Sequence, residues 1–187
     1  MKKLELSPGF LLFLALLCWV DTLGLFWWVL LAMALHELGH LAAIFLLRGK
    51  IVSVRLRFAD CLIVTEGLRY GQELICALAG PAVNLLCFAA FGRLCTPFAA
   101  VSLLLGGFNL LPMLPLDGGR AIHAVLLLLL PPDRADLLSR SISLFTVICI
   151  LAVCLAGIFY WNTGLLPLLT FLLLFSRLAL ENGREIK

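Results

Sequence analysis

Charged residues are scarce in this sequence. They make up 13% of the 187 residues, whereas apolar residues make up 63%, compared with about 45–50% in an average soluble protein. A water-soluble domain of this length could not bury so much apolar surface. The shortage of charge therefore excludes an ordinary soluble protein and predicts a polytopic membrane protein with room for about six helices of roughly 20 residues each.

Three further absences narrow the possible classes of protein. No tract of lysine and arginine indicates a nucleic-acid partner, and the net charge is only +3. The seven cysteines contain no C-x-x-C pair, which argues against a thiolate metal site and against a disulfide framework. No small-residue cleavage site follows the first apolar segment, so we expect that segment to be a retained membrane span rather than a removed signal peptide.

Long apolar runs, in contrast, are plentiful. We predict an all-α membrane protein with a single domain over residues 1–187 and about six transmembrane helices. The predicted spans are approximately residues 9–23, 25–47, 73–91, 97–116, 142–160 and 165–180. Prolines interrupt the helical pattern at the end of the fourth span. An apolar helix is predicted to resume over residues 121–130, and residues 131–139 are predicted to form a polar loop.

Within residues 50–66, apolar residues recur at every second position rather than with the spacing of a helix. Val52, Val54 and Leu56 alternate there with polar residues, which is the pattern of a strand with one apolar face. Ala59 and Asp60 could turn the chain into a second strand. We therefore predict a small β-ribbon at the membrane surface, with an exposed edge near residues 52–58.

Basic residues orient the predicted spans. If the N-terminus is inside and the chain crosses at every span, thirteen of the fourteen lysines and arginines lie inside and only Arg93 lies outside. Short inside loops of membrane proteins carry such an excess. The pattern predicts a multi-pass membrane protein with both termini in the cytoplasm.

The second span contains an H-E-x-x-H motif, His36-Glu37-Leu38-Gly39-His40. On a helix the two imidazoles are four residues apart, so both project from one face and can bind one metal ion. The carboxylate of Glu37 can accept a proton from metal-bound water. Polar groups at this depth are costly and mark a functional site. A structural His/Glu cluster that bonds neighbouring helices is the alternative.

A third protein ligand is needed for a catalytic zinc ion. Asp117 is the best candidate, because Pro112 and Pro115 break the helix before it and Gly118-Gly119 follow it. Irregular backbone at membrane depth is tolerated where it lines an enclosed cavity. The alternative is that Asp117 caps a helix beginning near Gly118.

Three segments together resemble the signatures of the site-2 protease family. They are residues 35–40 (LHELGH), 79–84 (AGPAVN) and 109–120 (NLLPMLPLDGGR). They occur in the family's order with compatible spacing, and the helix layout matches over nearly the whole chain. Within the family, the six-span layout is most similar to the sporulation protease that processes a sigma-factor precursor. We expect the protein to differ from that relative by lacking its C-terminal regulatory domain, and to lack a peptide-binding domain of the PDZ kind.

The resemblance implies an intramembrane zinc metalloprotease that hydrolyses peptide bonds in or near transmembrane segments. It implies Zn²⁺ held by His36, His40 and Asp117, with Glu37 as general base and acid. It also implies that Asn84 binds substrate or stabilises the oxyanion, although an interhelical hydrogen bond is the alternative there. Expected partners are a membrane-associated substrate, such as a transcription-factor precursor, and the lipid bilayer. A regulatory membrane partner or a homo-oligomer is compatible with this interpretation.

Other functions stay open on the sequence alone. A metal transporter would also place histidines and carboxylates in the membrane, but we find one concentrated site and no second polar helix. A silent binding protein could keep the fold, although an intact Glu37 argues against it. A prenyl-protein protease would share the H-E-x-x-H motif but would normally use a glutamate as third ligand.

Overall fold

A computed structural model describes residues 3–6, 15, 18–19, 21–57 and 60–161. The chain divides into two compact units, residues 1–110 and residues 111–187. The first unit contains helices α1 (Phe26–Leu46), α2 (Tyr70–Phe91) and α3 (Thr96–Asn109) together with a small sheet. The second contains α4 (Asp117–Leu129) and α5 (Pro132–Trp161).

Three of the described helices are long and apolar enough to cross a membrane. They are α1, α2 and residues 132–159 of α5, and α3 is a shorter apolar helix of 14 residues. The 21 residues of α1 span about 32 Å, slightly more than the hydrocarbon core of a bilayer. The protein is thus a mainly helical integral membrane protein. Most of the predicted span 9–23, and all of the predicted span 165–180, lie outside the described residues.

Two predicted helix boundaries were wrong. The fourth predicted span, residues 97–116, is helical only as far as Asn109, since the prolines that follow cannot continue it. Residues 132–139 of the predicted loop belong to α5, which begins at Pro132. Proline is favoured in the first turn of a helix, where the backbone N–H has no hydrogen-bond partner within the helix. The helix α2 continues through Pro81.

The predicted ribbon is present and has a third strand. Strands β2 (Lys50–Arg57) and β3 (Asp60–Glu66) pair antiparallel, with a bulge between Ile51 and Ser53. Strand β1 (Lys3–Leu6) pairs parallel with β2, so the strand order is β1-β2-β3. The prediction of an exposed edge on β2 was therefore wrong, because β2 is central, and the outer edges of the described sheet belong to β1 and β3.

Small residues line the packed faces of the first unit's helices. α1 buries Ala32, Gly39 and Ala43 against its neighbours, α2 buries Ala77 and Gly80, and α3 buries Ala99 and Gly106. Apolar side chains gain little by leaving lipid for another apolar surface, so membrane helices associate through close contacts between small residues. Large exposed side chains, including Trp27, Phe45, Leu86 and Leu104, are then available to lipid.

Both ends of α1 have defined local structure. At its start, the carboxylate of Asp21 accepts hydrogen bonds from the amides of Leu25 and Phe26, at 2.7 and 2.9 Å. At its end, Arg48 adopts a left-handed conformation with φ 57°, and Gly49 donates its amide to the Ile44 carbonyl at 2.9 Å. This is a Schellman motif, which satisfies carbonyls that the helix leaves open. The ends of α1 are thereby fixed on either side of the H-E-x-x-H motif.

Candidate metal centre

His36 and His40 lie one turn apart on the buried face of α1. Their exposed fractions are 5% and 7%, and their Nε2 atoms are 3.1 Å apart. The ring planes cross at 78°. The two Nε2 atoms therefore converge on one place, as the four-residue spacing predicts, and one ion could bind both.

The second nitrogen of each imidazole faces α2. Nδ1 of His40 donates to the backbone carbonyl of Cys76 at 2.7 Å, and Nδ1 of His36 lies 3.2 Å from the amide nitrogen of Asn84. Contacts of this kind orient metal-binding histidines and fix their tautomers. Because a carbonyl can only accept, the neutral His40 ring carries its proton on Nδ1 and presents the lone pair of Nε2.

Two glycines allow α1 and α2 to approach this closely. A Cβ added at Gly39 would lie 2.8 Å from the Ala79 carbonyl oxygen. A Cβ added at Gly80 would overlap Nε2 of His40 and would lie 2.7 Å from Nε2 of His36. The space beside the two Nε2 atoms is thus kept open by the absence of a side chain at position 80.

Glu37 lies on the adjoining face of α1. It is half-buried, and its Oε2 atom is shielded from solvent. A carboxylate next to a metal ligand can accept a proton from water and return it to a leaving group. The catalytic role of Glu37 stays a prediction.

In the second unit, Asp117 is the first residue of α4, and its side chain is 10% exposed. Arg120 lies one turn further along, 3.9 Å from its carboxylate. The helix begins at Asp117, after Leu116 as N-cap, close to the start near Gly118 that the alternative interpretation gave. A negative charge in the first turn is favoured by the helix dipole. Ligation by Asp117 stays a prediction.

The segment before Asp117 is attached to α5. The Leu114 amide donates to the Ser143 hydroxyl at 3.1 Å, and the Thr146 hydroxyl donates to the Pro112 carbonyl at 3.1 Å. Met113 is 4% exposed and packs against Val147. These bonds satisfy backbone groups that the prolines remove from regular structure. They give Asp117 a fixed position within its own unit.

The remaining polar candidates have local partners. The Asn109 side chain donates to the Leu105 carbonyl at 3.0 Å, one turn earlier in α3. His123 lies 2.7 Å from a carboxylate oxygen of Asp136 on α5. That pair connects α4 and α5.

The residues present fit a zinc ion. Zinc is commonly bound by imidazole nitrogens and carboxylate oxygens, in sites that keep one position for water. The two imidazoles are buried, their outer nitrogens are anchored, and Gly80 leaves the space that a Cβ would fill. The sequence prediction missed two contributors, the Cys76 carbonyl and Gly80. Only the second has a sequence signal, which is the glycine directly before Pro81.

The fold is that of a site-2 protease. The structure is similar to that of the site-2 protease from Methanocaldococcus jannaschii, with a TM-score of 0.65 and 21% sequence identity, covering 90% of this chain and 85% of that chain. At this identity the likeness shows the fold alone.

Sequence comparison adds two relatives. A zinc metalloprotease of M. jannaschii is 31% identical over 143 residues, covering 66% of this chain and 42% of the relative. The Mycobacterium tuberculosis protein Rip3, which carries the name of a zinc metalloprotease, is 47% identical over 66 residues, 27% of this chain and 17% of Rip3. The chain thus spans less than half the length of these curated relatives. No family profile matches it.

Proposed function

We propose that this protein is an intramembrane zinc metalloprotease of the site-2 type. One observation carries the proposal: two buried imidazoles converge through their Nε2 atoms within a membrane helix, while their Nδ1 atoms face a carbonyl and an amide on α2. Such an arrangement is costly inside a bilayer unless it serves a function. The fold and the two relatives named as zinc metalloproteases support the same conclusion.

The proposed ligands are His36, His40 and Asp117, all three of them buried. When bound, zinc polarises the scissile carbonyl and lowers the pKa of a water molecule. Glu37 accepts the proton of that water and gives it to the leaving amine. In the present arrangement Asn84 is fully buried and faces His36, so its proposed contact with substrate requires the amide to turn away from that ring.

The proposed substrates are membrane proteins cleaved in or near a transmembrane segment. A helical peptide bond is shielded by the helix's own hydrogen bonds, so the substrate has to unwind before hydrolysis. A membrane-bound transcription-factor precursor belongs to this class. Three further proposals rest on the sequence resemblance. They are that the protein is most like the sporulation protease, that it has a regulatory partner or forms a homo-oligomer, and that it lies in a bacterial cytoplasmic membrane.

The pairing of β1 with β2 supports the proposed orientation of the protein in the membrane. β1 near the N-terminus and β2 after α1 form one sheet, so both lie on one face of the bilayer. The positive-inside pattern places both of these segments in the cytoplasm. We therefore propose that the sheet lies at the cytoplasmic membrane surface, on the side from which substrate reaches the site.

The function is tested with purified protein in detergent and a panel of tagged single-span substrates. Wild type should cleave at least one substrate, lose cleavage after zinc is removed with a chelator, and regain it when zinc is returned. Cleavage that survives complete zinc removal would contradict the proposal. Uptake of zinc into liposomes that depends on His36, without any cleavage, would favour the transporter instead.

An extended substrate could pair with the outer edge of β3. Prolines introduced one at a time at residues 61–64 should then lower cleavage in a period-two pattern, because alternate amides of an edge strand point outward. Bound zinc, measured in the same preparations, should stay unchanged at the sensitive positions. If no proline lowers cleavage while zinc is retained, edge pairing is wrong.

A further inference from the structure

The irregular segment that leads into α4, residues 112–116, has few backbone amides. Two of its residues are prolines, which carry no N–H, so the amides of Met113, Leu114 and Leu116 remain. The Met113 amide bonds the Leu111 carbonyl at 2.7 Å, and the Leu116 amide bonds the Met113 carbonyl at 2.9 Å. The Leu114 amide instead bonds outside the segment. Because a buried amide needs a partner, that partner determines how the segment is attached.

Ser143 on α5 is the partner of the Leu114 amide. Its hydroxyl oxygen accepts this hydrogen bond at 3.1 Å and donates its own proton to the Ser139 carbonyl at 2.9 Å. A hydroxyl has only one proton, and here that proton is directed along α5. Toward the segment, Ser143 therefore acts as an acceptor alone.

The same peptide also lies against α4. A Cβ added at Gly119 would overlap the Leu114 nitrogen and the Met113 carbonyl carbon, and it would lie 2.6 Å from the Met113 carbonyl oxygen. Gly119 is the third residue of α4, in the turn that begins with Asp117. The peptide between Met113 and Leu114 is thus in contact with the first turn of α4 and bonded to a hydroxyl of α5.

A second hydroxyl of α5 holds the start of the segment. Thr146, which is 8% exposed, donates to the Pro112 carbonyl at 3.1 Å and to the Ile142 carbonyl of its own helix at 2.9 Å. Thr146 and Ser143 are three residues apart, so they are neighbours on the surface of α5. Together they supply one donor and one acceptor to the backbone of the segment.

We propose that Ser143 is a positioning residue for Asp117. By accepting a hydrogen bond from the peptide between Met113 and Leu114, Ser143 holds that peptide against Gly119 and so fixes where α4 begins. Asp117 is the first residue of that helix, and its carboxylate is thereby placed for zinc. The inference rests on the proposed function in one respect, namely that Asp117 is a zinc ligand.

Zinc affinity of Ser143→Ala tests the inference. This variant removes the acceptor of the Leu114 amide, so the segment should shift to find another partner. Because a metal–ligand distance tolerates a change of only about 0.2 Å, zinc binding should weaken about tenfold, the lower end of the effect of changing groups behind a ligand. Ser143→Thr keeps the hydroxyl and should retain most of the affinity. Affinity for Zn²⁺ is measured by competition with a chromophoric chelator on full-length protein in detergent.

Two further variants complete the series. Ser141→Ala makes the same chemical change on the same helix, at an exposed serine that bonds the Leu137 carbonyl at 2.9 Å, and it should bind zinc as wild type does. Thr146→Val keeps the size of the side chain but removes the donor to Pro112, so it should weaken zinc binding in the same direction as Ser143→Ala. It tests the inference independently if Ser143→Ala folds poorly, which thermal unfolding of the metal-free proteins would show.

A double-mutant cycle with Asp117→Ala distinguishes positioning from a general loss of structure. If Ser143 acts through Asp117, then Ser143→Ala should have no further effect on zinc affinity once the carboxylate is absent. The imidazoles of His36 and His40 supply the residual binding that is measured. A purely structural role of Ser143 would instead lower the affinity by the same factor in both backgrounds.

Three results would overturn the inference and leave the proposed function intact. They are zinc affinity at the wild-type level in Ser143→Ala and Thr146→Val, equal losses with and without the Asp117 carboxylate, and a loss in Ser141→Ala as large as that in Ser143→Ala. Wild type that binds no zinc would refute both the inference and the proposed function. Wild-type affinity in Asp117→Ala would refute the proposed ligands and the inference with them.

Discussion

Replacing Glu37 with glutamine should abolish measurable proteolysis while leaving bound zinc unchanged. Glutamine keeps the size of the side chain but cannot accept and return a proton at neutral pH. General acid–base catalysis contributes about 10²–10⁴-fold to rate, and we expect a loss in that range. Because Glu37 lies beside His36 and is not itself among the proposed ligands, zinc binding does not depend on its charge. Zinc content and the rate of substrate cleavage are measured on the same preparations.

The matched control is Glu73→Gln, which makes the same chemical change at an exposed position in the first turn of α2. That variant should cleave at the wild-type rate. Two results for Glu37→Gln would count against its role: cleavage as fast as wild type, or a loss of zinc equal to the loss of activity. The second would make Glu37 part of the zinc site rather than the proton carrier.

The second large effect concerns a single added methyl group. Gly80→Ala should weaken zinc binding by more than about 100-fold, because the new Cβ would overlap the His40 imidazole and lie 2.7 Å from Nε2 of His36. This displaces the ligands themselves, whereas losing a partner behind a ligand costs about 10–100-fold. Overpacking of this kind also costs about 1–3 kcal/mol of stability. Zinc affinity and thermal unfolding measure the two consequences.

Gly71→Ala provides the control for Gly80→Ala. Both glycines belong to α2, but a Cβ at Gly71 meets nothing within 4 Å. Alanine favours helix over glycine by up to about 1 kcal/mol, so Gly71→Ala should be neutral or slightly stabilising, with normal zinc affinity. If Gly80→Ala also binds zinc normally, the imidazoles do not occupy the positions described for them.

Much of this centre could be predicted from the sequence, because its signals are local. The spacing of His36 and His40 alone places both imidazoles on one helix face, and long apolar runs locate α1 and α2. The prolines before Asp117 correctly indicate an irregular segment. In each case, residues within about one turn of one another determine the outcome.

The features that the sequence did not predict depend on pairing between distant segments. The Cys76 carbonyl carries no side-chain signal, and its contact with His40 follows from how α1 and α2 pack at Gly39 and Gly80. β1 is only four residues long, and nothing within it shows that it pairs with β2. α5 begins earlier than expected because polar residues after Pro132 continue the helix beyond its apolar part.

We propose that one zinc ion is bound by His36, His40 and Asp117. X-ray absorption at the zinc edge tests it most directly, on purified wild type beside Asp117→Ala. We predict one zinc per chain with nitrogen and oxygen ligands at about 2.0–2.1 Å, and a large loss of zinc in Asp117→Ala. The seven cysteines make the opposite result easy to recognise. Sulfur ligands at about 2.3 Å, or a zinc environment that is unchanged in Asp117→Ala, would contradict the account.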